Sequence, residues 1–206
     1  MKREHIIQST LPSGYCQLEY IESTGTQWID TLDYIQSNDI VEMEVIPTLD
    51  TGNRALYGCT NGNAWNTGGY ELYYYNDWLQ LITPSSNSYS QLTNWYSIWV
   101  TGNTLNIRVE RTSWTINGIT ASKYNTYLNY VPSRTLFIFG SNRNNGVVAA
   151  TAPILMKLMF FRWYRNNALL HNFIPALRIS DTTSGLYDIV NNQFYTNAGT
   201  GEFLYN

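Results

Sequence analysis

The sequence predicts an all-β protein, an antiparallel two-sheet β-sandwich of the jelly-roll type. Short strand-like segments recur at near-regular intervals, turn dipeptides such as Asn117-Gly118 separate them, and no segment keeps the 3.6-residue period of a helix. The 206 residues fit one such domain, with no internal linker. We therefore expect residues 1–10 to form an N-terminal arm and residues 11–206 to form the sandwich.

The strands can be followed from the first half of the chain. Residues 39–47 alternate apolar and acidic side chains and end at Pro47, which is typical of a half-buried strand. Residues 54–60 and 69–82 are rich in β-forming residues. The loop between them, NGNAWNTGG, contains Asn-Gly and Gly-Gly steps that permit the positive φ of turns. These two segments predict a hairpin.

The second half continues the pattern. Residues 94–120 predict a meander of three strands, with turns at Gly102-Asn103 and Asn117-Gly118. Residues 154–164 form a long apolar run that is typical of a central strand or of a strand with a short crossover. Residues 172–206 return to alternation and end in a strand, so we expect the end of the domain to pair near its beginning.

Composition restricts the partners. The net charge of -3 gives no basic stripe that could neutralise a phosphate backbone, so we expect no nucleic-acid partner. Charged residues make up 13% of the chain and aromatic residues 15%. Tyrosine and tryptophan beside small polar residues suit contact with sugars or protein surfaces, but the same residues are common in strands and turns. Composition therefore leaves a binding surface and plain strand structure both open.

The segments that would direct the chain to a membrane are missing from this sequence. Residues 1–10 contain basic residues but lack the apolar core of a signal peptide. Residues 147–156, the most apolar later stretch, are far shorter than the ~20 residues that span a bilayer. We expect a protein made and kept in a cytoplasm, with no membrane partner.

Cysteine and histidine content limits metal and redox chemistry. Cys16 and Cys59 are expected to be reduced, small, buried hydrophobic residues. His5 and His171 do not stand at ligand spacing from a cysteine, and no loop has the acid density of a calcium site. We expect no metal ion and no cofactor.

Two terminal motifs carry a family resemblance. The chain resembles concanavalin A-like (laminin-G-like) sandwich domains in their opening and closing motifs, which here read LPSGYCQLEYIESTGTQWIDT and NFIPALRISDTTSGLYDIVNNQFYTNAGTGEF. Such domains occur in phage structural proteins and in surface proteins of gut bacteria. The segments between the motifs follow the order of that family's strands, and they read ALYGC, NWYSIWV, INGIT and LFIFGSN. The similarity therefore covers residues 11–206. The resemblance implies the sandwich fold and a role in display and adhesion, with no defined ligand.

The resemblance and the missing export signal together favour a virion protein. We expect a non-enzymatic phage component made in the host cytoplasm, displayed on the capsid or tail, and adhering to host-surface glycans. Residues 1–10 or the sandwich edge would attach it to other virion proteins in an oligomeric assembly. A capsid decoration protein with no ligand and a carbohydrate-binding bacterial surface module are the alternatives.

Glucanases share this sandwich, which raises the question of whether this chain has their catalytic acids. Those enzymes place their acids on one strand as E-x-D-x-x-E, whereas Glu42 and Glu44 are followed by Ile46 and Pro47 with no third acid. We expect these glutamates to lie on the solvent face of an edge or outer strand. A nucleophilic triad would have to use one of the two histidines. We expect no catalytic residues.

The loop before the second strand of the hairpin supplies the first candidate contacts. Trp65 stands among asparagines in a turn-rich loop, where an aromatic side chain has few ways to be buried. The next strand continues the surface, because Tyr73 and Tyr75 share one face. The polar loop at 141–146 is either a second contact or only a hairpin tip. The candidate ligand-binding residues are Asn61, Asn63, Trp65, Asn66, Tyr73, Tyr75, Trp78, Asn142 and Arg143.

Overall fold

The fold is an all-β sandwich of two sheets. A computed structural model describes residues 11–36, 38–48, 52–61, 69–75, 78–83, 89–91, 98–122, 131–143 and 152–206. Within these ranges nineteen strands form an 11-stranded sheet and an 8-stranded sheet, and no helix is present. The predicted fold class is confirmed.

The larger sheet has the strand order β11-β10-β9-β4-β15-β16-β17-β18, with β1 beside β16 and β2 between β15 and β19. Its strands are β1 (Tyr15–Gln17), β2 (Ile21–Thr24), β4 (Ile40–Pro47), β9 (Leu105–Val109), β10 (Ser113–Ile116), β11 (Ile119–Ser122), β15 (Leu155–Arg165), β16 (Ala168–Arg178), β17 (Thr183–Asp188), β18 (Gln193–Thr196) and β19 (Leu204–Tyr205).

The smaller sheet has the order β3-β12-β5-β6-β7-β8, and two short strands run parallel to β5. Its strands are β3 (Ile29–Asp30), β5 (Arg54–Cys59), β6 (Tyr70–Tyr75), β7 (Trp78–Ile82), β8 (Tyr89–Gln91), β12 (Phe137–Ile138), β13 (Ser141–Asn142) and β14 (Ala152–Pro153). The predicted hairpin is confirmed, since β5 pairs with β6.

The core lies between the two sheets because each strand turns alternate side chains inward. On β4, Val41 and Met43 are buried, while Glu42 and Glu44 are only half-buried on the outer face. From the other sheet, Leu72 and its alternate neighbours on β6 enter the same cluster. Burial of this apolar surface is the main source of stability.

The two terminal motifs meet in what we call the terminal clasp, the contact of residues 23–28 with residues 197–203. The backbone N–H of Ala198 donates to the Trp28 carbonyl at 2.8 Å, and that of Thr200 donates to the Thr26 carbonyl at 3.1 Å. Gly199 fits between them only because it lacks a side chain, since a Cβ there would lie 2.1 Å from the Thr26 oxygen. The clasp and the pairing of β19 with β2 confirm that the domain ends beside its beginning.

The predictions for residues 98–100 and for Cys16 are wrong in detail. Residues 98–100 form a turn and bend instead of a strand, although the Ile98 and Trp99 side chains are buried. Cys16 is exposed on the short strand β1, whereas Cys59 is buried as expected. Both cysteines are free thiols. In the described parts of the chain, no helix is long and apolar enough to cross a membrane.

Candidate binding face on the smaller sheet

Strand β6 places two tyrosines on the outer face of the smaller sheet. Leu72 and Tyr74 point into the core, so Tyr73 and Tyr75 lie on the opposite face, as the alternation predicts. Their rings are stacked, with centroids 6.1 Å apart and an angle of 29° between the planes. Tyr73 is 8% exposed and Tyr75 is 42% exposed. The pair therefore offers one accessible ring supported by a buried one.

A buried ion pair lies beside these rings. Arg143 Nη2 is 2.7 Å from Glu71 Oε2, Arg143 Nε donates to Glu71 Oε1 at 3.1 Å, and the Ser141 hydroxyl donates to the same carboxylate. The Glu71 side chain is fully buried and that of Arg143 is 6% exposed. Gly58 makes room for this carboxylate, since a Cβ there would lie 2.6 Å from Glu71 Cγ.

Arg143 and the neighbouring Tyr73 both keep their protons at this site. Burial lowers the pKa of Arg143, but its hydrogen bonds and attraction to Glu71 outweigh burial and raise it, so Arg143 stays charged. The guanidinium carbon lies 5.6 Å from the Tyr73 ring centroid. Burial raises the pKa of Tyr73 to about 12, so its hydroxyl keeps its proton and can donate. We call Glu71, Tyr73, Tyr75 and Arg143 the tyrosine–arginine face.

Strand pairing extends this face across β7. Tyr75 is opposite Trp78 and Tyr73 is opposite Gln80 in the register, and Gln80 is opposite Gln91 on β8. Gln80 is 8% exposed. The backbone of Trp78 is thus next to Tyr75, while its side chain lies outside the described residues.

The other predicted site residues have different positions. Asn61 is exposed, and its Oδ1 accepts hydrogen bonds from the Ser133 N–H at 2.6 Å and hydroxyl at 3.0 Å. Asn142 is 5% exposed and donates to the Thr135 carbonyl at 3.1 Å. The structure thus brings Tyr73, Tyr75 and Arg143 together. Asn63, Trp65 and Asn66 lie outside the described residues.

Three residues that build the face were not predicted from the sequence, namely Gly58, Glu71 and Ser141. Glu71 carried a usable signal, because it is the one charged residue in the run GYELYYY and a charge in a buried strand needs a partner. The partner itself could not be found from sequence. It stands 72 residues later and reaches Glu71 only because β13 lies along β5.

The outer face of the larger sheet carries the two glutamates considered for catalysis. β4 is a central strand with β9 and β15 as neighbours, so the expected edge position is wrong, although Glu42 and Glu44 do lie on the outer face. Glu42 pairs with Arg108 and accepts a hydrogen bond from the Tyr164 hydroxyl at 2.8 Å. A groove of about 420 Å³ lies here. Among the described residues, no group of three or more His, Cys, Asp or Glu could hold a metal ion.

Comparison with known proteins supports the fold class. No family model and no curated protein matches the chain. A crystal structure of a protein from Bacteroides ovatus ATCC 8483, described as a "putative carbohydrate binding protein", is similar to it with a TM-score of 0.56 at 12% sequence identity. The match covers 93% of this chain and 60% of that one, so this chain spans less than two thirds of its length. At this identity the likeness concerns the fold alone, that of a β-sandwich.

Proposed function

We propose that the protein is a non-catalytic carbohydrate-binding module and that the tyrosine–arginine face holds the sugar. The observation that carries this proposal is the exposed ring of Tyr75, stacked on Tyr73 beside a buried ion pair. The fold shared with a protein described as carbohydrate-binding supports the same class. Adhesion to glycans would then be a property of the sandwich itself.

The chemistry of the face suits a sugar ring. A pyranose has an apolar face of C–H groups that stacks on an aromatic ring, and hydroxyls at its edge that need hydrogen-bond partners. Tyr75 offers the ring. Arg143 has more N–H donors than Glu71 can accept, and the Tyr73 hydroxyl and the Gln80 amide lie at neighbouring register positions. Preorganised polar groups beside an aromatic surface limit the entropy lost on binding.

The test compares two tyrosines of equal exposure. Tyr75 and Tyr205 are both 42% exposed, but Tyr205 belongs to the larger sheet. We expect Tyr75→Ala to weaken glycan binding about tenfold or more on an array and by calorimetry, because the stacking surface is lost. Tyr205→Ala should bind as the wild type does. Equal losses in both variants, or a wild-type protein that binds no glycan, would contradict the proposal.

The loop that contains Trp65 is a second part of the proposed surface. We include Asn63, Trp65 and Asn66, which precede β6 in the chain, because a tryptophan among asparagines in a turn-rich loop suits a contact role. Trp65→Ala should reduce glycan binding while the free energy of unfolding changes by less than about 1 kcal/mol. A loss of about 3 to 5 kcal/mol would instead identify a buried tryptophan.

We further propose that the module is displayed on a phage particle, attached through residues 1–10 or the sandwich edge. The resemblance of the terminal motifs supports this placement. Deleting residues 1–10 should leave the melting temperature nearly unchanged and lower incorporation into particles. Incorporation at full occupancy, or failure to fold, would show that this segment is not an anchor.

We infer that the protein does not hydrolyse glycans. The inference is supported by Glu42, which is engaged by Arg108 and Tyr164 on a face that presents no E-x-D-x-x-E acids. Purified protein should show no turnover of β-glucan or peptidoglycan. Turnover that disappears in Glu42→Gln or Glu44→Gln would overturn this.

A further inference from the structure

His171 on β16 lies between two carboxylates from different parts of the fold. Its Nδ1 is 2.7 Å from Asp188 Oδ2 on β17, and its Nε2 is 3.2 Å from Asp33 Oδ2 in the segment between β3 and β4. The histidine is 5% exposed and Asp188 is fully buried. A neutral imidazole has a single N–H, so only the doubly protonated ring can donate to both carboxylates.

Asp188 fixes which proton stays on the ring. Its Oδ1 accepts the backbone N–H groups of Asn172 and Val190, both at 3.0 Å, and its Oδ2 accepts the Asn191 amide at 2.6 Å as well as His171. Burial raises the pKa of Asp188, but these hydrogen bonds outweigh burial and lower it, so Asp188 stays ionised. The Nδ1 proton is therefore held, and the Nε2 proton is the one that His171 gives up.

Asp33 connects the histidine to the loop at residues 31–36, in which Leu32 and Tyr34 are exposed and Thr31 and Ile35 are buried. Its other oxygen, Oδ1, accepts the backbone N–H of Tyr34 at 2.6 Å. The loop presents two apolar side chains to solvent, since Leu32 is 63% exposed and Tyr34 is 44% exposed. Leu32 has a φ of 60°, in the left-handed region that a non-glycine residue adopts only under strain. The carboxylate of Asp33 thus links a partly exposed, strained segment to the buried ring.

The loop has further anchors that do not involve His171, among them its hydrogen bonds to Leu136 and Arg165. The backbone groups of Thr31 and Asp33 bond to those of Leu136 at 3.0 and 2.8 Å. Arg165 Nη2 donates to the Tyr34 carbonyl at 2.6 Å. These contacts hold the backbones of Thr31, Asp33 and Tyr34 independently of His171, so any motion that follows loss of the histidine contact is confined to the Asp33 side chain and the Tyr34 N–H that it accepts.

Three aromatic side chains complete the surroundings of the imidazole. Trp163 on β15 lies 5.1 Å from the ring and donates to Asp39, whose charge is balanced by Arg165. On β16 itself, Phe173 stacks on the ring at 5.1 Å. On β18, burial raises the pKa of Tyr195 to about 12, so that group stays neutral. Asp33 and Asp188 are therefore the two charges that decide the state of His171.

We propose that His171 is a proton-operated latch for the loop at residues 31–36. Doubly protonated, the ring holds the Asp33 carboxylate. Loss of the Nε2 proton to solvent leaves a lone pair facing that carboxylate, which releases the Asp33 side chain and with it the hydrogen bond from the Tyr34 N–H. Burial lowers the pKa of His171, but Asp188 and Asp33 outweigh burial and raise it above 6.5. The latch is closed below this raised pKa and opens as the pH rises through it.

The experiment is an NMR titration of the full chain between about pH 5 and 9. A His5→Gln background leaves His171 as the single imidazole signal. We expect the Tyr34 amide and the Asp33 carboxyl to shift with the same midpoint as the ring, and the Tyr34 amide protection factor to fall about tenfold across it. If the Tyr34 amide stays constant while the ring titrates, this experiment overturns the proposal without any further variant.

Two variants separate the latch from a general effect of pH. Asp33→Asn removes the carboxylate, so the ring midpoint should fall and the Tyr34 amide should lose its response to the ring. Asp181→Asn removes a carboxylate that instead pairs with Arg178, and the ring and loop should titrate as in the wild type. A Tyr34 response that persists in Asp33→Asn would also refute the latch.

Discussion

Replacing Gly199 with alanine should open the terminal clasp. The new Cβ would lie 2.1 Å from the Thr26 carbonyl oxygen and 2.4 Å from Trp28 Cζ3, which is closer than real Cβ atoms approach. Neither neighbour can move away without losing a contact of its own. The Thr26 oxygen accepts the Thr200 N–H, and the Trp28 ring stacks on Phe137 with centroids 6.2 Å apart. The backbone at 197–200 must therefore move away from residues 26–28.

That movement sets the size of the effect. It breaks the two backbone hydrogen bonds of the clasp, worth about 1 kcal/mol each, and adds about 1 to 3 kcal/mol of overpacking. We expect a total loss of about 3 to 5 kcal/mol in the free energy of unfolding, measured by urea titration. Gly118→Ala is the comparison without a clash: its Cβ meets open space, and its φ of +84° costs about 1 kcal/mol of backbone strain that is absent at Gly199, so Gly199→Ala should lose more stability through the clash alone. A Gly199→Ala protein within 1 kcal/mol of the wild type would refute the reasoning.

Three further predictions concern stability. Glu71→Gln should cost about 3 to 5 kcal/mol in urea titrations, because Arg143 keeps a buried charge without its counter-ion; a change under 1 kcal/mol would contradict the buried pair. Thr182→Gly should raise the melting temperature, because a β-branched residue at a φ of 56° is strained and glycine is not; a lower melting temperature would contradict this. The raised pKa of His171 gives stability that is full below about pH 6.5 and is lost as the pH rises through the folded value. The lowered pKa of Asp188 gives stability that is present above about pH 3.8 and is lost as the pH falls through its folded value. Unfolding free energies measured across pH should therefore be highest between these limits, and a flat profile would disprove the His171–Asp188 linkage.

Much of the fold could be predicted because side-chain alternation is a local property. The period of two on β4 and β6 identified which residues enter the core, and Val41, Met43 and Leu72 do so. The turn at residues 98–100 was missed because its apolar side chains resemble those of a strand. Ile98 and Trp99 are buried in the core without belonging to either sheet.

The candidate face could be predicted only where it depends on one strand. Tyr73 and Tyr75 share a face because they are two residues apart. Asn142 and Arg143 look like residues of a polar hairpin tip, yet both are 5% exposed. The reason is the parallel pairing of β13 with β5, a long-range contact that leaves no pattern in the sequence and that brings Ser141 and Arg143 to Glu71.

The most direct test of the carbohydrate-binding proposal is to map the bound sugar on the protein. Backbone amide shifts of the full chain would be followed by NMR during titration with the tightest glycan from the array. We predict that the largest shifts occur at Tyr73, Tyr75, Gln80 and Arg143, and that they are absent in Tyr75→Ala. Shifts centred on the groove of the larger sheet near Arg108 and Phe160, or the absence of any shift, would contradict a binding site on the tyrosine–arginine face.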